Sequence, residues 1–441
     1  MINKFSKTTL LWLLAGGCTV AAVAFTVKKA KPIKHDAISC AKHAPQAGCV
    51  FKTLLGLEAY DTATLYKNKE MVNAALKKGL SWIDKAQGND GGWGSGSHYN
   101  QQVTDPHAVP SDPATTALVE MALLRNEQYT GNSAYATAFE KGVHYLLNAV
   151  EQTPLQAATI TQLQNTQPQT KLGRNIDVIL TAQFFTNYLQ QSKTIVVKKD
   201  RLQKALQRCV AMIEKAQDTD GGWKDGGWAP VLQSALANNA LETARDAGAK
   251  VDSSILTKSR DYQKGNFDVN TNNAVTGKAA GVLLYSVSSS ARATAKEAQL
   301  AEVVVAQAKK EGKLKTEDKV TKENLVKAGM DNASAEKAVA AVKIRGAASV
   351  KAQDKNVLAG FGNNGGEEYM SFLMTGESLI ISGDKDWVKW YDETTSRLLQ
   401  IQTNDGSWQG HHCITSPVFC TATCLLILSI DKDIEFFIKT K

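Results

Sequence analysis

The sequence predicts an all-α protein in which six pairs of helices close into a ring, an (α/α)6 toroid. Two observations carry this prediction: one short pattern occurs three times, and each copy follows an amphipathic stretch of helical length. Hydrophobic residues make up 43% of the 441 residues and charged residues 21%. A chain of this length and composition can bury a large core.

The repeated pattern is a Gln, three residues, a Gly, one residue and a Trp. Its copies span 87–93, 217–223 and 402–408, a degenerate copy lies at 263–267, and a weaker relic lies at 360–366. The Gly residues can end the preceding helix with a left-handed cap. We expect each Trp to pack back on that helix and each Gln amide to join neighbouring repeats. These six residues are therefore interpreted as structural: Gln87, Trp93, Gln217, Trp223, Gln402 and Trp408.

Helical periodicity between the repeats predicts two layers of helices. The outer helices are predicted at 70–86, 133–150, 199–216, 253–262, 291–310 and 385–401. The inner helices are predicted at 113–125, 175–189, 230–247, 272–288, 368–382 and 415–430. A Gln/Thr-rich loop at 153–172 and a helical insertion at 291–358 interrupt the order. The insertion is either a partner-binding arm or lid, or a solvated excursion, and its charged composition favours the excursion.

Residues 1–27 have a basic start and an 18-residue apolar run, as a signal peptide or membrane anchor does. Three outcomes remain open: cleavage after Ala24, lipidation at Cys18, or an uncleaved span. Each of them exports the rest of the chain to a bacterial periplasm or cell envelope, with membrane association through the N-terminus in the last two.

Cysteine usage agrees with export, because six cysteines remain when Cys18 is set aside. An even number in an oxidising compartment predicts disulfides. Cys40 and Cys49 are expected to pair within a linker at 28–53, and the connectivity of the other four stays open. The alternative is a metal cluster formed by His411, His412, Cys413, Cys420 and Cys424. Disulfides are favoured, so no metal site is predicted.

The three repeats resemble the QW motif of squalene-hopene and oxidosqualene cyclases. Protein prenyltransferase β subunits share that toroid, so the resemblance is to the terpene cyclase and prenyltransferase superfamily, with its prenyltransferase and squalene oxidase repeats. It covers 54–441. Residues 114–118 and 421–425 also look like the inner helices of that family. The resemblance implies the toroid fold.

The chemistry of that family is not expected here. Class II cyclases protonate an alkene with an Asp-x-Asp-Asp motif, of which only Asp112 has a counterpart in this sequence. A single carboxyl is too weak an acid for that step. Prenyltransferases hold zinc with Asp, Cys and His, and the Asp-x-Cys pair is absent. The resemblance therefore leaves the cofactor open.

Polar residues gather where the inner helices are predicted to begin. Backbone N–H groups there favour anions and polar ligands. Aromatic residues are only 7% of the chain, which argues against a terpenoid cavity. We expect a polar ligand, such as a glycan or peptide, at this mouth of the ring. The ligand-binding candidates are Asp177, Asn272, Asn273 and His411.

Two functions remain open. The favoured one is a binding module of the cell envelope, whose partner is a small molecule, a glycan or an envelope protein. The alternative is an enzyme, either terpene cyclase- or prenyltransferase-like or a glycan lyase or hydrolase, with Asp112, Glu367, Glu368 and His412 as catalytic candidates. The net charge of +8 is not arranged as a basic stripe, so nucleic-acid binding is not predicted.

Overall fold

The computed structural model describes residues 66–128, 133–360, 364–383 and 386–438. The predicted signal segment, the linker and the Cys40–Cys49 pair lie outside the described residues, so these three remain predictions. Within the described ranges, no helix combines the length and the apolar character that a bilayer crossing requires.

Helices make up most of the described chain, together with one short hairpin. In chain order they are α1 (Lys69–Lys85), α2 (Pro113–Arg125), α3 (Ala136–Gln152), α4 (Gln167–Lys171), α5 (Ile176–Gln191), α6 (Lys199–Lys215), α7 (Pro230–Asp246), α8 (Ser253–Lys264), α9 (Leu283–Lys310), α10 (Lys322–Lys327), α11 (Asn332–Lys351), α12 (Lys355–Leu358), α13 (Gly366–Ser382), α14 (Trp387–Ile401), α15 (Pro417–Leu428) and α16 (Ile434–Ile438). Strands β1 (Phe267–Asp268) and β2 (Asn273–Ala274) pair antiparallel, with Phe267 opposite Ala274.

Six helices form the inner ring: α2, α5, α7, α9, α13 and α15. Each packs against the next, and α15 returns to pack against α2, which closes the ring. All residues of α2 and α15 are buried. A helix that is buried on every side must be surrounded by other elements, as the inner helices of a ring are. The predicted all-α toroid is confirmed.

The outer layer consists of α1, α3, α6, α8, α11 and α14, which pack on the outside of the inner helices. All of these helices except the Ala-rich α11 are amphipathic. In α6, for example, buried residues recur at spacings of three and four, from Leu202 and Ala205 to Cys209 and Ile213. That spacing places them on one face of the helix. The first outer helix, α1, packs against the last pair, α14 and α15.

The fourth and fifth pairs differ from the prediction. The helices expected at 272–288 and 291–310 do not exist as separate helices. The hairpin and a loop occupy 267–282, and α9 then runs for 28 residues as one inner helix. No Gly or Pro lies between Leu283 and Lys310, so nothing in the sequence breaks this helix. The fifth outer position is taken by α11, which packs along α9.

The cysteine prediction also needs a correction. Cys209, Cys413, Cys420 and Cys424 are free thiols, so the disulfides expected among these four are wrong. Cys209 is buried in the outer helix α6, whereas Cys420 and Cys424 are buried one turn apart in α15. These three side chains fill the core as small apolar groups do.

The intact repeats join the layers through the same hydrogen bonds. The indole N–H groups of Trp93, Trp223 and Trp408 donate to backbone carbonyls of the preceding outer helix, at Ile83, Ile213 and Leu398, each at 2.8 Å. Each Gln amide donates to its own turn and to the next outer helix, at Ala138, Ile255 and Ala75. The bond from Gln402 to Ala75 joins the last repeat to the first outer helix and thereby closes the outer layer.

Candidate functional site

The N-terminal ends of the inner helices share one mouth, and the loops in front of them are bonded to one another. The backbone N–H of His98 donates to the carbonyl of Asn165, and the backbone N–H of His411 donates to the carbonyl of Asn364. The Thr415 hydroxyl donates to the carbonyl of Gln101. Loops that are far apart in sequence therefore form one surface over the mouth.

Helix α4 lies within this surface, in the segment expected to be an irregular loop. The side chain of Gln167 is fully buried, and its Oε1 accepts from the backbone N–H groups of Thr415 and Ser416 at 2.7 and 3.1 Å. The ammonium of Lys171 lies 3.7 Å from the centroid of the Trp228 ring. A Thr166 capping box starts this short helix, and the pattern Thr-x-x-Gln at 166–169 could have revealed it.

Glu367 and Glu368 occupy the first turn of α13, and both are almost fully buried. Glu368 accepts through Oε1 from the Tyr285 hydroxyl at 2.6 Å and through Oε2 from the backbone N–H of Gly365 at 2.8 Å. Glu367 accepts through Oε2 from the backbone N–H of Ile414 at 3.2 Å. The two carboxyls therefore have fixed and different positions.

His412 and Cys413 reach the same place from the loop before α15. The His412 Nε2 lies 3.8 Å from the Glu368 Oε2. The Cys413 thiol donates to the Glu367 carboxylate, and the backbone of Cys413 has a φ of 58°. A left-handed backbone is uncommon for Cys and often marks a functional position.

These side chains form a group that we call the mouth cluster: Tyr285, Glu367, Glu368, His412 and Cys413. One donor atom each from Glu367, His412 and Cys413 lie within 4.8 Å of one another. Carboxylate oxygen, imidazole nitrogen and thiolate sulfur are the ligands that zinc takes in proteins. Three protein ligands leave a fourth position for water or a ligand. The cluster therefore fits a divalent transition metal.

Electrostatics in the mouth cluster keep protons bound. Burial, and then the charge of Glu368, raises the pKa of Glu367 to about 7. Burial, and then the charge of Glu367, raises the pKa of the Cys413 thiol to about 12. Burial also raises the pKa of Glu368, although the hydrogen bond from Tyr285 opposes it. Such a thiol is a poor nucleophile at neutral pH unless a cation accompanies it.

The metal cluster that the sequence suggested has a different composition. His411 is exposed, and Cys420 and Cys424 are buried in the core of α15. Glu367 provides the carboxylate that was not in the expected set. Tyr285 was also missed, because its place at the start of an inner helix depends on where α9 begins.

Asp112 caps α2 and lies outside the mouth cluster. Its carboxylate accepts from the backbone N–H groups of Ser95 and Thr115 and from the Thr115 hydroxyl, at 2.8 to 2.9 Å. Burial raises its pKa, and these hydrogen bonds oppose the rise. A carboxylate with three donors joins a loop to a helix, which is a structural role.

The other candidate ligands are also engaged elsewhere. Asp177 accepts from the backbone N–H groups of Ile160 and Val178, and burial raises its pKa to about 7. Asn272 is exposed in the β1–β2 turn and Asn273 is exposed at the start of β2, and Lys351 donates to both. The expectation that these two asparagines begin an inner helix is wrong.

Residues 49–160 match the family model of the squalene-hopene cyclase C-terminal domain. The matched range includes the first intact repeat, Asp112 and most of the first two helix pairs. This match confirms the resemblance that the repeats indicate. No curated protein and no solved structure matches the chain significantly.

Proposed function

Because the chain resembles the terpene cyclase and prenyltransferase superfamily in fold and repeats, we propose that it binds a polar ligand through a divalent metal ion at the mouth of the inner ring. Glu367, His412 and Cys413 hold the ion. The observation that carries the proposal is the position of their three donor atoms, within 4.8 Å of one another. These donors come from the starts of two successive inner helices, α13 and α15.

The surrounding residues prepare these donors for a metal. The backbone N–H of Ile414 fixes the Glu367 carboxylate, and Glu368 lies beside the His412 ring. Tyr285 and Gly365 hold Glu368 in turn. Carboxylates that orient a histidine are the usual outer partners of metal sites. When bound, the ion supplies Lewis acidity toward an oxygen of the ligand.

A polar ligand fits the rest of the mouth. Lys171 is buried and its ammonium packs against the ring of Trp228, which is 57% exposed. Tyr99, in the loop that approaches Thr415, is 74% exposed. Hydrogen-bonding groups and exposed aromatic faces suit a glycan or a peptide. We further propose export of the chain, which the basic and apolar pattern of 1–27 supports. A bound metal would protect the half-buried Cys413 thiol from oxidation there.

Cobalt binding to the full chain tests the metal site. After dialysis against EDTA, one equivalent of Co²⁺ should bind and give the absorption band of a cobalt–thiolate bond. Cys413→Ser should abolish that band, and Glu367→Gln should weaken binding, because each removes a ligand. Addition of azide should shift the visible bands if the fourth position is open.

Two matched variants serve as controls for this test. His411→Ala changes the exposed neighbour of His412, and Cys209→Ala removes a buried thiol in α6, so both should bind Co²⁺ as the wild type does. A thiolate band that survives Cys413→Ser, or a chain that binds no Co²⁺ at all, would refute the site.

An enzyme that works by acid–base chemistry is the second candidate. The observation in its favour is that the pKa of Glu367 is about 7, which suits a general acid, beside Glu368 and His412. Asp112, the fourth catalytic candidate, is held in its cap. Turnover of a glycan panel by EDTA-treated protein, lost in Glu368→Gln, would favour this candidate over the metal site.

A further inference from the structure

Helix α4 places two buried hydrogen-bond donors on one of its faces. Gln167 and Lys171 are four residues apart, so their side chains leave the same face of the helix. Gln167 is fully buried, and Lys171 is 5% exposed. The Oε1 of Gln167 accepts from the loop before α15, whereas its Nε2 has no hydrogen-bond partner among the described residues. This face of α4 therefore holds a donor that the protein itself does not use.

The ammonium of Lys171 is a second donor without a partner. It forms neither an ion pair nor a hydrogen bond within the described ranges, and it lies 3.7 Å from the centroid of the Trp228 ring. Burial, and then the charge of this ammonium, lowers the pKa of His98. Burial raises the pKa of Cys413, and the same charge opposes that rise, so the ammonium faces the mouth cluster. A buried cation without a counter-ion is costly, and this ammonium therefore favours the binding of an anion.

The carboxylates around the mouth do not neutralise Lys171. Glu368 accepts two hydrogen bonds of its own, and Glu367 is a ligand of the proposed metal. Asp225, in the loop before α7, pairs with Arg174 at 3.7 Å. The positive charge beside the mouth cluster is thus available to a ligand.

Two exposed aromatic side chains are anchored on the backbone of the α4 segment. The backbone N–H of His98 donates to the carbonyl of Asn165, and the backbone N–H of Trp228 donates to the carbonyl of Thr170. These two carbonyls are five residues apart, which is about 8 Å along a helix. Tyr99, next to His98, is 74% exposed, and Trp228 is 57% exposed. Two open aromatic faces at such a distance suit the flat C–H faces of neighbouring sugar rings.

We propose that the ligand of the metal site is an acidic oligosaccharide, whose carboxylate pairs with Lys171 while its sugar rings stack on Trp228 and Tyr99. This inference rests on the proposed function, since the metal takes an oxygen of the same ligand at its open position. A uronic acid carries its carboxylate directly on the ring, so the group reaches the ammonium at the edge of the exposed indole. The unused groups of α4 are donors, which sugar and carboxylate oxygens accept from. A peptide also brings backbone N–H donors, which these groups cannot pair.

Calorimetric titration of the cobalt-loaded full chain tests the proposal. Tetragalacturonate should bind at least about tenfold more tightly than its methyl ester, which has the same sugar rings without the charge, because hydrogen bonds to charged groups are the strong ones. Lys171→Met should bind both compounds equally, at the level of the ester. Absence of binding, equal binding of the two compounds by the wild type, or a preference that survives Lys171→Met would overturn the proposal.

Three controls make this titration specific. Tyr99→Ala should weaken the binding of both compounds by the same factor, about threefold to tenfold, because it removes a stacking surface and no charge. An unchanged affinity would contradict the second stacking surface. Lys77→Met, at an exposed position of α1, should bind as the wild type does. A tetraglutamate peptide that binds as tightly as tetragalacturonate would overturn the choice of a glycan.

Two readouts separate this inference from the metal site and from a structural role. Lys171→Met should keep the cobalt–thiolate band, because Lys171 is not a metal ligand. If the wild type lacks that band and still prefers the acidic compound through Lys171, the metal proposal fails and the anion site stands. Without ligand, Lys171→Met should unfold at a temperature no lower than the wild type, because it removes an unpaired buried charge. A lower temperature would mean that the ammonium stabilises the fold, and would overturn its assignment to ligand binding.

Discussion

The three intact repeats and the degenerate repeat at 263–267 differ in how the amide of their Gln is hydrogen-bonded. In the intact copies, each Gln amide donates both to its own turn and to the next outer helix. Gln263 is fully buried, whereas the Gln residues of the intact repeats are half-buried, yet neither atom of its amide has a hydrogen-bond partner among the described residues. The amide of Asn266 is unpartnered in the same way.

The difference follows from what comes next along the chain. In an intact repeat, the Gln amide reaches a backbone carbonyl of the next outer helix. After 263–267, the hairpin and the 28-residue α9 delay the next outer helix, α11. The repeat motif is therefore effective only where the next helix pair has the standard length. Buried amides without partners carry a desolvation cost.

The closing repeat should show the largest effect. Gln402→Leu removes the two hydrogen bonds that this amide donates to the backbone carbonyls of Ala75 and Gly406. We expect a loss of about 2–3 kcal/mol in the free energy of unfolding. Amide hydrogen exchange in α1 should rise more than in α6, because this bond holds α1 to the last repeat.

The same substitution at the exposed Gln409 is the control for this loss, and it should change stability by less than about 0.5 kcal/mol. Urea denaturation measures both variants. Equal losses at the two positions would mean that Gln402 does not join the repeats as the hydrogen bonds indicate.

The inner helix that follows the first intact repeat, α2, also contains a side chain that lowers the stability of the fold, Glu120. This side chain is fully buried in α2 against Gly142 and Trp93, and its carboxyl oxygens have no partner among the described residues. Burial raises its pKa well above the ordinary 4.5. The unfolded chain therefore ionises first as pH rises, so the stability present at low pH is lost above about pH 4.5.

Glu120→Gln keeps the shape and removes the ionisation. The variant should match the wild type at pH 4 and be more stable by about 1–2 kcal/mol at pH 7, since each unit of pKa difference corresponds to about 1.4 kcal/mol. Thermal unfolding at the two pH values checks this. Glu140→Gln, at an exposed position of α3, should show no such trend. A gain that does not depend on pH would exclude ionisation as its cause.

The features that the sequence reveals are those with local signals. The Gln and Trp spacing and the 3.6-residue periodicity predict the intact repeats and most helices. The continuity of α9 had no such signal, because its buried run at Ser288–Ser290 has the composition of a loop and is helical only through packing. Glu367, Glu368 and His412 were found as residues near inner-helix starts. They contact Tyr285 and Cys413 only because of the way α9 and the loop before α15 pack. No pattern of spacing in the sequence predicts that packing.

The smallest change in the free energy of unfolding is expected at the degenerate repeat. The sign of this change tests whether its Gln differs from that of the intact repeats. Gln263→Leu removes an amide that has no partner and leaves no carbonyl unpaired. We expect stability to stay the same or to rise by about 1 kcal/mol, whereas the identical change at Gln402 lowers it. Urea denaturation of both variants measures whether the free energy of unfolding changes in opposite directions. A loss above about 1 kcal/mol at Gln263 would mean that ordered water satisfies the amide, as it does for other buried polar groups. In that case the fourth repeat is hydrated, and its Gln contributes to stability as the others do.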